Sequence, residues 1–437
     1  MSERSHMGET VLDTLRELPG GSELLELAEH RADVELVGGA VRDLLLGRRP
    51  RELDVIVDAG APDFAQELAD FFDDRLTALG VRSEVDAHER FGTAVVRFDG
   101  GRIDVAARRA ESYAAPGALP DVRAGTPEQD LLRRDFTVNA IAVALGGERR
   151  GQLREAPHAL EDLQASRLRV LHDGSFRDDP TRMLRMARYE ARLGFAPDEH
   201  TAGLAEQAIA GGALDTVSPA RIGAELRLTL AEGDAVAALE AMQRLGALSA
   251  LHEAIELDAP LARAALAALP DEDANAWPDV LLLASLLLPA QAYDAHDYET
   301  RLRVLLDRYE FPAAERERAV HSALAAPRLA ERLRHAQTPS QIYAIAHDAA
   351  LEAVALAEAL AAARGETQAA DAARRWLSQL RNISLEIDGD DLLRSGIPAG
   401  PEVGRRLRGA LMRKLDGELA GAAEAREAEL SAALEAQ

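Results

Sequence analysis

Two carboxylates stand two residues apart in Glu52-Leu-Asp54, at the head of a run, Leu53-Asp-Val-Ile-Val57, whose β-branched residues predict a strand. Side chains at i and i+2 of a strand share a face, so Glu52 and Asp54 are expected to project together. A third acid, Asp104, lies in a second strand-like run, Arg102 to Ala106. Three carboxylates converging from adjacent strands repel one another unless a cation neutralises them. Hard oxygen ligands of this kind suit Mg²⁺. An acidic solvent face is the plain alternative for any single Glu-x-Asp. What sets this one apart is the segment ahead of it, Val37-Gly-Gly-Ala-Val-Arg-Asp43. It predicts a strand, a glycine pair (Gly38, Gly39) and a helix start, where a phosphate can approach the backbone and N–H groups favour anions. Arg42, in the first turn, can take a triphosphate oxygen with two donors. Glycine pair and carboxylates together describe a nucleoside triphosphate site with metal.

Two further segments carry paired charges. Arg133-Arg134-Asp135-Phe-Thr-Val-Asn139-Ala sets two cations before an apolar stretch. Arg134 is expected on a phosphate or base, oriented by Asp135. In Asp178-Asp179-Pro-Thr-Arg182-Met-Leu-Arg185-Met-Ala-Arg188, Asp179 and Pro180 make a good helix start. The three arginines recur every three residues along one helix stripe and call for an anionic partner. Asp179 beside Arg182 offers an acceptor next to donors. Cytosine and adenine both present an amino donor beside a ring-nitrogen acceptor, whereas uracil and guanine present a keto group beside an N–H. One Asp–Arg pair can therefore accept C and A and reject U and G, because the wrong base leaves buried polar groups unpaired.

The elements that must position these residues mix two periods. Up to about residue 145 a helical lead over residues 9 to 29 is followed by strands at Val34 to Val37, Leu53 to Val57, Thr93 to Phe98 and Arg102 to Ala106. A helix over Ala40 to Leu46 lies between the first two strands. Tyr113 to Gln129, rich in Gly, Pro and Ala, is expected to be a loop. From about residue 159 strand signals vanish, and Leu, Ala, Arg and Glu recur at helical spacing. Breaks are expected near Gly211-Gly212, Ala259-Pro260, Trp277-Pro278, Phe311-Pro312 and Gly396 to Gly400. The expected architecture is an α+β head with a small mixed sheet, followed by an all-α remainder.

Composition narrows the function. The 437 residues, 47% of them apolar, suffice for two to four domains and exclude a wholly disordered chain. The absence of cysteine excludes disulfides, thiolate metal sites and cysteine nucleophiles, and fits a reducing compartment. No apolar stretch follows the first residues, and the longest apolar run, Val280 to Leu288, is too short to span a bilayer. A soluble, cytoplasmic protein without a membrane partner is expected. The oligomeric state is left open. The net charge of −25 by itself argues against a polyanionic partner. The charge is unevenly placed, however. From Arg394 to Lys414 there are six cations (Arg394, Arg405, Arg406, Arg408, Arg413, Lys414) and one acid, Glu402, with Gly400 and Gly404 among them. Such a segment can grip RNA phosphates without reading sequence. The alternative is a basic helix neutralised by Glu418, Glu424, Glu427 and Glu429. Lys414 is the single lysine, so almost every cation can make forked contacts with phosphate.

Together these stretches resemble the class II tRNA nucleotidyltransferase / poly(A) polymerase family, within the polymerase β nucleotidyltransferase superfamily. The matching segments are Leu36 to Gly47, Glu52-Leu-Asp54, Glu89-Arg-Phe-Gly-Thr93, Ile103-Asp-Val105, Pro116-Gly-Ala-Leu-Pro120, Arg133 to Ala140, Asp178 to Phe195 and Ser218 to Leu226. A weaker likeness covers Ile387 to Gly417. The resemblance implies a nucleotidyltransferase head (1–148), a helical neck that recognises the base (149–230), a helical body (231–325) and a tRNA-binding tail (326–437). It implies Mg²⁺-dependent, untemplated transfer from CTP and ATP to a tRNA 3′ end by two-metal chemistry. Glu52 and Asp54 would hold the metals, with Asp104 as third carboxylate. Gly38, Gly39, Arg42 and Arg134 would hold the nucleotide. Asp179 and Arg182 would read the base, and Arg185 and Arg188 would contact nucleotide or phosphate nearby. Arg394, Arg405, Arg406 and Arg408 would bind RNA. Two departures stand out: Glu52 replaces the family's usual Asp, and Asp104 stands where many members carry Glu. The form Pro116-Gly-Ala-Leu-Pro120 resembles members that divide the work between CC-adding and A-adding enzymes. Poly(A) addition and a catalytically silent RNA-binding protein are the other readings.

Overall fold

A computed structural model describes residues 3–76, 83–88, 92–253, 255–271, 273–288, 295–419 and 425–436. Glu89, Arg90 and Phe91 of the expected Glu89–Thr93 motif lie outside these residues, as does Glu424. The chain divides into two compact units, Met1–Ser218 and Pro219–Gln437. The segment expected as a neck contributes to the first unit as far as Ser218, and its last helix, Pro219–Leu230, opens the second.

The first unit begins with α1 (Glu3–Arg16) and α2 (Gly21–Ala28). The expected single lead is thus two helices, parted where Pro19 cannot donate and Gly20 turns with φ 76°. There follow β1 (Glu35–Val37), α3 (Gly39–Leu45), β2 (Leu53–Val57), α4 (Ala61–Leu76), β3 (Glu84–His88), β4 (Thr93–Phe98) and β5 (Gly101–Ala107). Next come β6 (Arg109–Ser112), β7 (Asp121–Ala124), α5 (Pro127–Leu132), β8 (Ile141–Ala144) and β9 (Leu153–Glu155). Seven strands form one sheet in the order β3-β4-β5-β2-β1-β8-β9. β2 and β5 run parallel, with Asp54 paired to Asp104, while the other neighbours are antiparallel. Leu53, Val55 and Val57 alternate with Asp54 along β2 and are buried. Phe64, Leu68 and Phe72 of α4 are buried as well, and α4 packs on β4 and β5. On a second apolar cluster Val37 and Ile56 meet Leu131, Ala140 and Ala142.

Part of the expected loop from Tyr113 to Gln129 is ordered: β7 pairs antiparallel with β6 as a two-stranded ribbon. α5 starts from a capping box in which Thr126 and Gln129 bond reciprocally. The unit closes with α6 (Ala159–Gln164), β10 (Arg167–Leu168), α7 (Ser175–Asp178), α8 (Thr181–Leu193), β11 (Ala196–Pro197) and α9 (Glu199–Ala210). The only strands among the described residues past 159 are the two-residue β10 and β11.

The second unit is built from α-helices, Pro219–Leu230 to Ala425–Glu435, with no strand among its described residues. Ala259-Pro260 and Trp277-Pro278 mark helix starts, since proline lacks only an N–H that a first turn leaves unused. Phe311-Pro312 separates Ala295–Arg308 from Ala313–Leu333. Glu352, fully buried, accepts from the Trp277 N–H and from Arg318, tying three helical segments together. No helix of the described residues is long and apolar enough to cross a membrane.

Candidate active site

Parallel pairing of β2 with β5 puts Asp54 and Asp104 side by side, and Glu52, two residues earlier, on the same face. One oxygen from each of Glu52, Asp54 and Asp104 lies within 4.8 Å of the others, the one such cluster among the described residues. Burial, then the charges of Glu52 and Asp104, push the Asp54 carboxyl up to about 7, against the opposing pull of Arg134 and Arg102. A group of hard oxygens this close, with one acid held back from ionising, fits a divalent cation. The cation is what would let all three carboxylates ionise together.

Two arginines flank the triad. Arg102 donates from Nε and Nη2 to the Asp104 carboxylate, both at 2.5 Å, and its Nη1 lies 3.8 Å from Glu52. Arg134 approaches from the other side. A Cβ placed on Gly38 would lie 2.6 Å from Arg134 Nη1 and 3.6 Å from Asp54 Oδ2, and Gly38 has φ +71°. Glycine is therefore required at 38 both for backbone conformation and for room. Gly39, opening α3, leaves space that a Cβ would share with the Arg42 guanidinium at 3.4 Å. Arg134 Nη2 donates to Asp130 at 3.1 Å, and its buried Nε has no hydrogen-bond partner. Its orienting carboxylate is thus Asp130, not Asp135 as the sequence suggested. Asp130 sits three and four residues ahead of Arg133 and Arg134 and pairs with both, a helical spacing that was there to be read.

Asp135 does something else. Buried, it accepts from its neighbour's N–H, from Asn139 Nδ2 at 2.8 Å and from Arg185 at 2.7 and 2.9 Å. Burial alone would raise its pKa, but Arg185 and the Asn139 bond outweigh it and hold the carboxyl well below the usual range. Asn139 Oδ1 accepts from Arg42, whose other donors bind Asp43. The rings of Phe136 and Tyr189 meet edge to face, with the Arg42 and Arg185 guanidinium groups over Tyr189. A buried chain of polar contacts, Asp43–Arg42–Asn139–Asp135–Arg185, therefore joins α3 to α8.

The arginine stripe of α8 is accordingly not a row of uncompensated cations. Arg185 is paired with Asp135, and Arg188 is buried. Arg182, also buried, donates to Ser175 Oγ at 2.6 Å and to the Arg133 carbonyl at 2.7 Å. α8 starts at Thr181, and the Asp179 carboxylate accepts from the Thr181 N–H and hydroxyl. Arg182, Asp178, His172, Arg177, Arg133 and Tyr113 line a cavity of about 360 Å³ closed on one side by the β6–β7 ribbon.

In the second unit Arg394 is exposed and paired with Asp391. Arg405 and Arg408 lie on the helix Pro401–Leu415, exposed and without an ion pair among the described residues. Arg406 is held by Glu402 and by the Ala433 and Leu434 carbonyls. Arg413 pairs with Glu418 and Glu435, and Lys414 with Glu429. Neutralisation by the acidic C-terminal segment thus holds for two of the six cations, Arg413 and Lys414.

Residues 34–169 match the family model described as the Poly A polymerase head domain. The A-adding tRNA nucleotidyltransferase of Geobacter sulfurreducens is 35% identical over 95% of this chain and 46% of its own length. A solved CCA-adding enzyme, apo form II, is 30% identical with a TM-score of 0.72, the match covering 96% of this chain and 95% of that one. The chain belongs to the tRNA nucleotidyltransferase / poly(A) polymerase family. Within the family, the Thermotoga maritima CCA-adding enzyme complexed with tRNA aligns at a TM-score of 0.70 and 28% identity, over 95% of both chains. The chain spans about half the length of the curated relatives it matches.

The raised Asp54 pKa fixes a sign. Below about 4 the group is protonated folded or unfolded and costs nothing. Between about 4 and 7 only the unfolded chain ionises, so stability falls as pH rises through that window and stays low above it. In chelator at pH 8, Asp54→Asn is expected to stabilise the first unit by about 1–3 kcal/mol in urea unfolding, and to lose this advantage at pH 4. Equal stabilities at both pH values would refute the raised Asp54 pKa.

Proposed function

We propose that this protein transfers C and/or A from CTP or ATP to the 3′ end of tRNA without a template. The carrying observation is the register that sets Asp54 beside Asp104 with Glu52 on the same face and Arg134 against Gly38. The primer 3′-oxygen would bond to the α-phosphorus, the bond from that phosphorus to the β-bridging oxygen would break, and pyrophosphate would leave. Glu52, Asp54 and Asp104 would hold divalent cations, here taken as Mg²⁺, which supply charge for the triphosphate and acidify the attacking hydroxyl. Gly38 and Gly39 leave room for phosphate at the backbone. Arg134 offers an unpartnered buried donor toward the triad. Arg42, committed to Asp43 and Asn139, positions this loop rather than opening onto it.

Asp179 and Arg182 would select the base from the wall of the neck. Arg185 and Arg188, near the same pocket, would support the nucleotide through the Asp135 network. In the second unit Arg405 and Arg408 would grip RNA phosphate, with Arg394 beside them. Arg406 would hold their helix in place. The overall charge would confine RNA to this basic helix and the site. The family likeness to CCA-adding enzymes, one of them solved with tRNA, supports the reading.

The decisive assay offers CTP, ATP or both, with Mg²⁺, to tRNA transcripts ending before the tail, at C and at CC. Three added residues on the bare tRNA define a complete CCA-adding enzyme. A stop after CC, or only A on the CC-ended tRNA, defines a specialist. A poly(A) product defines the polymerase alternative. No incorporation by wild type from any triphosphate, under conditions where Asp54→Ala is the blank, would leave only the silent RNA-binding reading.

Base selection predicts that Asp179→Ala and Arg182→Ala admit UTP and GTP at least about tenfold better relative to CTP and ATP. Unchanged ratios would remove the pair from that role. Arg405→Gln with Arg408→Gln should weaken tRNA binding about tenfold and flatten its salt dependence by up to two charges, leaving the KM for ATP unchanged. An unaltered salt slope would place the RNA elsewhere.

A further inference from the structure

We propose that Arg102 is a resident counter-ion of the acidic triad, which a divalent cation must displace from Asp104 before the site is filled. The inference rests on the proposed metal role of Glu52, Asp54 and Asp104 and adds a residue that role does not include. Both Asp104 oxygens accept from one guanidinium, Nε to Oδ1 and Nη2 to Oδ2 at 2.5 Å each. The remaining nitrogen, Nη1, reaches to 3.8 Å from Glu52. One arginine thus spans two of three candidate ligands whose oxygens lie within 4.8 Å of one another.

The geometry follows from the strand. Arg102 and Asp104 are two apart in β5 and share a face, and Asp104 is aligned with Asp54 across the parallel pair. A side chain at 102 therefore starts from the same face of the sheet as the triad. The two sides of the site differ in how tightly their cation is held. Arg134 is mostly buried and anchored to Asp130, with side-chain exposure of 14%. Arg102 has 44% of its side chain exposed, and among the described residues its ion pairs are with two triad acids, Glu52 and Asp104. Arg102 can swing into solvent by opening its bonds to these two acids, whereas Arg134 must also leave Asp130. A fork-to-fork pair uses both carboxylate oxygens, so an ion entering at Asp104 must open at least one of these bonds. Charge gives the same result: three carboxylates beside two arginines leave little net attraction for a dication until one arginine withdraws.

Withdrawal leaves the guanidinium at the mouth of the site, free for the other anion the reaction brings, the triphosphate. Arg102 would then delay cation capture until nucleotide competes for it. It is a positioning residue and acts through Asp104.

The test measures Mn²⁺ binding to the full chain without nucleotide, by water-proton relaxation, for wild type, Arg102→Ala, Arg102→Lys and Asp54→Ala. Removing one unit charge from beside a dication at a part-exposed site should tighten Mn²⁺ about tenfold in Arg102→Ala. Arg102→Lys, a compact charge without the fork, should fall between the two. The Mg²⁺ concentration for half-maximal nucleotide incorporation should drop in the same order, while the KM for ATP rises in Arg102→Ala. A circular dichroism spectrum and melting profile like wild type's would confirm that each variant is folded. Should Arg102→Ala lack them, Arg102→Lys alone decides, by tighter or unchanged binding. Mn²⁺ affinity unchanged within about twofold, or weaker, overturns the counter-ion role. If wild type binds Mn²⁺ and Asp54→Ala does not, the metal reading survives that result. If neither wild type nor the Arg102 variants bind Mn²⁺, both fall.

Discussion

The repulsion among three carboxylates is the constraint around which the first unit is organised. Nothing in a seven-stranded sheet favours setting Asp54 opposite Asp104, and yet the one parallel pair in that sheet does so. The surrounding fold contains the repulsion. Leu53, Val55 and Val57 anchor the strand from the opposite face. Arg102 and Arg134 bracket the acids, and Gly38 gives up its side chain so that one guanidinium can come close. Local stability is set against chemistry here, and the apolar packing of α4 and the sheet offsets it.

A second polar system holds the geometry at a distance. Asp135 sits at the centre of a buried network that runs from α3 to α8, so the turn at Gly38-Gly39 and the arginine-bearing helix share one carboxylate. Such a network is stiff only when every member is satisfied, and here each contact is short and charged. The aromatic pair Phe136–Tyr189 packs on it, with the Arg42 and Arg185 guanidinium groups over Tyr189. The segment Arg133 to Ala140 thus acts less as a ligand than as a joint. Arg134 faces the acids, Asp135 faces α8, and the Arg133 carbonyl receives Arg182.

Much of this was legible in the sequence because chemistry and periodicity coincided. The strand at Leu53–Val57 matched its alternation, and Gly38-Gly39 stood between strand and helix as glycine pairs do. Glu52, Asp54 and Asp104 were predictable neighbours once two adjacent strands were assumed, although their parallel direction was not. What escaped was long-range pairing. Asp135 precedes Arg185 by fifty positions, and no local pattern links them. The ordered ribbon β6–β7 hid behind glycine, proline and alanine, since β7 is exposed throughout and carries no alternation. Arg102 escaped for the opposite reason, because an arginine alternating with buried Ile103 and Val105 looks like the ordinary solvent face of a strand.

The last helix of the chain has a role that its weak amphipathicity conceals. Its carbonyls at Ala433 and Leu434 and its acids Glu429 and Glu435 hold Arg406, Lys414 and Arg413. The basic helix beside it therefore presents to solvent only part of the charge it carries. Detaching that final segment would strip Lys414 of its acid, Arg413 of Glu435 and Arg406 of its two carbonyls, baring a more cationic surface. One helix thus sets how much positive charge its neighbour presents, through contacts that read as ordinary packing.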